Sequence, residues 1–164
     1  MRDYWFISDT HFQHENVIRF NGEDFPSVES RDELLIENWN KVVKKGDKVY
    51  HLGDVFFGSK EGFSRLWPRL NGSKTLIVGN HDDIKFLSSG GFFRKVQLWK
   101  VWHDRPLIFT HVPLHQDSIQ ERILDSGGLN VHGHTHLNGS PDGPYKSVCV
   151  EMVSYTPVNL EELY

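Results

Sequence analysis

Leu76-Ile77-Val78-Gly79-Asn80-His81-Asp82-Asp83 decides how this chain is read. A short apolar run, Thr75 to Val78, stops at a glycine, and a carboxamide, an imidazole and two carboxylates follow with no spacer. An apolar strand that releases a burst of polar groups predicts a rigid element delivering a functional loop, because loops held on a scaffold are where chemistry concentrates. Taken alone, the same residues describe a surface turn, since Gly, Asn and Asp are ordinary turn formers. Recurrence of the layout decides between the two. Five times an apolar stretch ends in a potential metal ligand: Asp9 with His11, Asp54, Asn80, His111, and His134 with His136. In open layered sheets, sites form beyond the carboxyl ends of strands, so five such ends can converge on one cleft. Asp9 and His11 stand two apart, as do His134 and His136, which puts each pair on one side of an extended segment. Gly53, Gly79 and Gly133 each precede a candidate ligand, where a residue without a side chain lets the backbone turn sharply.

Composition narrows the class. At 164 residues, the chain is expected to form one domain, residues 1–164, whose core needs no staples. The formal charge of -4 argues against extended nucleic acid as a partner, because wrapping a phosphate backbone calls for a basic stripe. The single cysteine, Cys149, has no partner for an internal disulfide, and a reducing cytoplasm fits. The first apolar run ends by Ser8, too short for a signal-peptide core, and no run approaches the roughly 18 apolar residues of a membrane span. Ten histidines beside one cysteine form the compositional outlier. Imidazole is the commonest metal ligand and the usual general acid or base, so this excess points to a site.

In chain order, Tyr4 to Ser8 is predicted as a strand running into Asp9, and Phe12 to Phe20 as a short helix or irregular loop. Ser30 with Glu33 reads as a capping box opening a helix to about Lys44, with Leu35, Trp39, Val42 and Val43 on one face. A strand over Lys48 to Leu52 and a weaker helix over Glu61 to Arg65, stopped near Pro68, follow. Val96 to Trp102 and Leu107 to Thr110 resemble a hairpin leading into His111. Asp117 with Gln120 predicts a helix ending at Gly127-Gly128, and Leu129 to Val131 a strand entering His132-Gly133-His134-Thr135-His136. Asn138 to Pro144 reads as a turn, Ser147 to Val153 as the last strand, and Leu160 to Tyr164 as a terminal helical turn. Alternating strands and helices early, with strands dominating late, predict a mixed layered sheet with helices outside.

The candidate ligands number two Asp, one Asn and four His. One carboxylate shared between two ions gives each ion four protein groups and leaves room for water and substrate. That is the composition expected of a two-metal hydrolytic site acting at phosphorus. Imidazole, carboxylate and amide donors without thiolates suit Mn, Fe or Zn better than a zinc finger or calcium.

Asp9-Thr10-His11, Gly53-Asp54, Gly79-Asn80-His81-Asp82, His111 and Gly133-His134-Thr135-His136, in that order, resemble the calcineurin-like metallophosphoesterases. The opening Asp9-Thr10-His11-Phe12-Gln13-His14-Glu15-Asn16 looks like the small, uncapped members common in phages and bacteria. The resemblance implies an α+β fold, a four-layer αββα sandwich with mixed β-sheets, and a dinuclear site. Asp9, His11, Asp54 and His136 would hold one metal. Asp54 as the bridge, with Asn80, His111 and His134, would hold the other, and His81 would be the catalytic histidine. The cofactors implied are two divalent ions, manganese first, with iron, zinc or nickel as alternatives. One departure matters. Protein Ser/Thr phosphatases of this superfamily extend the second block as Gly-Asp-x-Val-Asp-Arg-Gly, whereas Val55-Phe56-Phe57-Gly58 follows Asp54 here. The carboxylate that orients the catalytic histidine and the arginine that grips phosphate are missing from that block, which speaks against a protein phosphatase.

Several residues carry two readings. Asp82 and Asp83 fit a helix cap or an outer contact better than ligation, although Asp82 could orient His81. His14 either reaches the substrate phosphate or is a loop histidine satisfied by a backbone carbonyl. His51 and His132 read as core or outer-contact groups, His115 as structural or rim, and His103 as a hairpin residue. Phe56 and Phe57 read as core or lid, although an aromatic at this rim could stack on a nucleobase. Arg105, Arg122 and Lys146 read as solvated charges. The expected function is hydrolysis of small phosphodiesters or phosphomonoesters, nucleotide-like, by metal-activated water. Two alternatives stand beside it: a metal-dependent DNA or RNA nuclease, and a non-catalytic interaction scaffold like the retromer subunit that keeps this fold without hydrolysis.

Overall fold

A computed structural model describes residues 3–119, 123 and 125–164. Two sheets carry the fold. The first has the order β4-β3-β2-β1-β9, built from β1 (Tyr4–Ile7), β2 (Lys48–His51), β3 (Ser73–Ile77), β4 (Lys95–Gln97) and β9 (Val158–Asn159). Its first four strands are parallel, and β9 closes the other edge antiparallel to β1. The second has the order β5-β6-β7-β8, from β5 (Lys100–Trp102), β6 (Leu107–Phe109), β7 (Leu129–His132) and β8 (Tyr145–Ser147), with only β5 antiparallel to its neighbour. This is the α+β sandwich with mixed sheets that the sequence predicts.

Strand alternation builds the layers. Along β1, Phe6 faces the second sheet while Ile7 faces the helices, and along β3 Ile77 and Leu76 divide the same way. Both faces of the first sheet are therefore buried, and β1, Tyr4-Trp5-Phe6-Ile7, is apolar throughout. Between the sheets, Phe6 stacks on Phe109 with ring centroids 4.9 Å apart. On the outer face, α2 (Val28–Val42) and α3 (Lys60–Leu66) cover the sheet through Leu35, Trp39 and Phe63. A smaller cluster of Ile108, Ile119 and Ile123 covers the far side of the second sheet. Two short helices, α1 (Val17–Asn21) and α4 (Ile84–Ser89), follow site loops, and Asp83 caps α4 by accepting a hydrogen bond from Phe86 N at 3.0 Å. No helix among the described residues is long and apolar enough to cross a membrane.

Several elements differ from expectation. Helix α2 starts three residues early, because the capping box is Ser27 with Ser30 rather than Ser30 with Glu33. The apolar run Val96 to Trp102 is not one strand: it leaves one sheet after Gln97 and joins the other at Lys100, with Leu98 and Trp99 exposed between them. Part of the helix expected from Asp117 and Gln120, residues 120–122 and 124, falls outside the described residues, and Arg122 with it. Gln116–Ser118 form a 3-10 turn capped by His115, and Ile123 is helical. The last predicted strand is displaced: Tyr145–Ser147 forms the strand, and Val150–Val153 is a 3-10 turn.

Candidate metal centre

The carboxyl ends of β1, β2, β3, β6 and β7 open on one side, and their loops bring the candidate ligands together. One group is Asp9, His11 and His136; a second is Asp54, His111 and His134, with the ligand atoms of each group within 4.8 Å of one another. Asp54 faces both. Its Oδ2 lies 3.6 Å from His11 Nε2 and 3.5 Å from His111 Nε2, while its Oδ1 accepts a hydrogen bond from His81 N at 2.9 Å. Asn80 Oδ1 reaches His111 Nε2 at 2.9 Å.

Asp9 shows most directly that these residues fit a cation. Its Oδ2 is fully engaged, accepting from the Ser8 hydroxyl, from His134 N at 2.8 Å and from the Cys149 thiol at 3.3 Å. Its Oδ1 is buried and has no hydrogen-bond partner among the described residues, yet it points to His136 Nε2 at 3.7 Å and His11 Nε2 at 3.9 Å. A buried carboxylate oxygen without a partner is costly, and a cation shared with two imidazoles would satisfy it. Burial pushes the Asp9 carboxyl above its ordinary range, and burial holds the His11 imidazole neutral by lowering it to about 3. Burial also opposes charge on Asp54 and His111, but their mutual attraction outweighs it, leaving Asp54 at about 2 and His111 at about 9.

Backbone conformation marks the same residues. Asp9, His11, Asp54, His134 and His136 all have positive φ, between 42° and 70°. A residue with a side chain is disfavoured there, and such strain clusters at functional sites. The candidate ligand pairs therefore face the centre through left-handed turns rather than through the alternation of an extended segment. The glycines act differently from expectation too. Of these three only Gly53 has a positive φ, 97°; at Gly79 a Cβ would overlap Asp54, and at Gly133 it would overlap Ser8 and Asp9.

A family model for the calcineurin-like phosphoesterase superfamily domain matches residues 3–144. The chain belongs to the calcineurin-like phosphoesterase superfamily. It is 36% identical over 170 residues to "Uncharacterized protein MJ1445" of Methanocaldococcus jannaschii, covering 98% of this chain and 89% of that protein. It is 30% identical to the Gene 66 protein of Mycobacterium phage L5, covering 83% of this chain and 78% of the relative. Among solved structures, the protein AQ665 of Aquifex aeolicus superposes with a TM-score of 0.76 at 29% identity, covering 99% and 97% of the two chains.

Around this superfamily site, the other sequence candidates divide. Asp82 receives three backbone N–H groups: Oδ2 accepts from Gly79 at 2.7 Å and Asp54 at 3.1 Å, and Oδ1 from Val55 at 2.9 Å. It ties the Asp54 and Asn80 loops together. His14 lies at the mouth, its ring 5.5 Å from that of His11 and 4.6 Å from that of Phe57. His81 is exposed, its ring 5.9 Å from that of His11. His51 and His132 are buried. His51 Nδ1 accepts from Gly53 N at 3.2 Å, so Nε2 carries the proton toward Thr10 Oγ1 at 2.9 Å. Arg105 pairs with Glu161 at the surface.

Two residues were missed as site residues. Glu151 Oε1 accepts from His136 Nδ1–H at 2.8 Å and from Asn21 Nδ2 at 2.6 Å, which fixes the ring so that Nε2 points at Asp9. Glu151 lies beyond the residues matched by the family model. Arg31 is fully buried, donating from Nη1 to Thr10 O at 2.6 Å and from Nε to Glu23 at 2.6 Å, so it clamps the peptide between Asp9 and His11. A signal for Arg31 was present: it stands four and eight residues before Leu35 and Trp39, on the apolar stripe of α2.

Proposed function

We propose that this superfamily member is a two-metal phosphoesterase that hydrolyses small, nucleotide-like phosphodiesters or phosphomonoesters. The observation that carries the reading is the carboxylate of Asp54, set within 3.6 Å of one imidazole from each ligand group. Asp9, His11, Asp54 and His136 would hold one ion, and Asp54, Asn80, His111 and His134 the other. When bound, two divalent cations, manganese first with iron, zinc or nickel as alternatives, supply the Lewis acidity that acidifies a water and neutralises charge on phosphoryl oxygens. Donors of imidazole, carboxylate and amide type with no thiolate support ions of this group over calcium or a structural zinc finger.

The chain's own groups perform the remaining tasks. Glu151 and the carbonyl of Leu52, which accepts from His111 Nδ1 at 2.7 Å, hold two imidazoles with Nε2 directed inward. The backbone N–H of His81 is anchored on Asp54, so the ring stands beside the ligands and donates a proton to the departing oxygen. Asn80, His81 and His134 are exposed, which supports a small substrate entering an open cleft. The test is hydrolysis of bis(4-nitrophenyl) phosphate and of nucleotides by chelator-stripped protein before and after adding Mn, Fe, Zn, Ni or Mg. Stripped protein is expected to be inactive and at least one ion to restore turnover. Hydrolysis that survives stripping, or no hydrolysis with any ion, would overturn the proposal.

A further inference from the structure

Phe57 is 54% exposed, whereas its neighbour Phe56 is buried. Single exposed apolar residues are ordinary, so the position of this one carries the argument. Its backbone N–H donates to Phe12 O at 2.9 Å, and Phe12 pairs with Phe56 in a β-bridge, so a fixed segment presents the ring. The Phe57 ring centroid lies 4.6 Å from that of His14 and 6.1 Å from that of His81, and both histidines neighbour ligand His11. The aromatic face is therefore one ring removed from the metal centre on two sides.

A hollow of 240 Å³ opens there, lined by Phe56, Phe57, Gly58, Lys60, His81 and Asp83, with Phe57 the exposed ring of the two. Whole-ligand pockets run from about 300 Å³ upward, so this one takes a single end of a substrate. Its rim is polar: Lys60 Nζ and Asp83 Oδ2 pair at 2.6 Å, both partly exposed. One aromatic face with a donor and acceptors at its edge suits a planar heteroaromatic ring better than an aliphatic chain. His81 lines both the hollow and the centre, and as proton donor it faces the leaving group. We infer that the hollow is a subsite for the nucleobase of a leaving nucleoside, stacked on Phe57. The inference deepens, and rests on, the phosphoesterase reading.

Adenosine, which has no phosphate, separates the two. Its binding is measured by ligand-observed NMR titration to the wild type, Phe57→Ala and Phe57→Trp. Alanine is expected to weaken adenosine about tenfold, within the range for loss of one base–aromatic stack, and tryptophan to retain it. In parallel, the ratio of kcat/KM for adenosine 5′-monophosphate over glycerol 3-phosphate is expected to fall about tenfold in Phe57→Ala and to return in Phe57→Trp. No adenosine binding to the wild type, equal binding to wild type and Phe57→Ala, or an unchanged ratio would overturn the subsite. Absence of any phosphoester hydrolysis would overturn the phosphoesterase reading instead, and the adenosine titration would still decide the subsite.

Discussion

Replacing Glu151 by alanine removes a carboxylate whose side chain is 3% exposed and which holds the back of one candidate ligand. Two donors lose their acceptor together, His136 Nδ1–H at 2.8 Å and Asn21 Nδ2 at 2.6 Å. Without that bond, the His136 ring is free to rotate or to carry its proton on Nε2, and either change withdraws the lone pair facing Asp9. Losing such an outer partner costs 10- to 100-fold in metal affinity, and two buried bonds to one charged oxygen place this case near the upper end, about 2–2.7 kcal/mol. Glu151→Gln keeps an acceptor and loses the charge, so about tenfold is expected. Only the ion held with Asp9 and His11 should weaken. The assay is titration of stripped protein with Mn against a fluorescent chelator, with thermal melts as a folding check. Two sites of wild-type affinity in a folded Glu151→Ala protein would refute the reasoning, and so would equal weakening of both sites.

Three further expectations concern individual groups. Asp54→Asn should be the most damaging ligand change, lowering both metal occupancy and turnover, because the shared carboxylate answers the mutual repulsion of both ions; near-normal turnover with two metals bound would remove Asp54 as the bridge. His81→Ala should leave metal content intact and slow alkyl and nucleoside esters by about 10²–10⁴, with a much smaller loss on nitrophenyl esters, whose leaving group needs no proton; equal losses would assign His81 to the phosphoryl group. Burial lowers His51 to about 3, so the unfolded chain binds the extra proton between about 6.5 and 3. Its stability contribution is therefore complete above pH 6.5 and lost on acidification, at up to about 1.4 kcal/mol per pH unit. Metal-free His51→Gln should show a flatter melting-temperature profile over that window, and an unchanged slope would contradict this.

The sequence carried much of the candidate site because each candidate ligand sits where an apolar strand stops, a local signal. Five strand ends on one side of two sheets then need no further information to converge. Left-handed conformations at Asp9 and His136 were not legible, since neither is a glycine and the strain is imposed by packing around them. Glu151 was hidden for a related reason: its partner, His136, becomes a neighbour only when the chain after β8 folds back as a 3-10 turn. Hydropathy located Val96 to Trp102 as apolar but could not show that Gln97 pairs with Ile77 in one sheet while Lys100 pairs with Phe109 in the other. Strand β9, two residues long, falls below any periodic pattern. The misplaced start of α2 shows two overlapping caps, Ser27–Ser30 and Ser30–Glu33, of which buried Arg31 and Asp32 favour the earlier.

The most direct test of the central claim is an anomalous-difference map from manganese-loaded crystals of the intact chain. Two peaks are expected, roughly 3.5–4 Å apart, with the Asp54 carboxylate between them. His11 and His136 should flank one peak, and Asn80, His111 and His134 the other. A single peak, or two that do not share Asp54, would contradict the two-metal account.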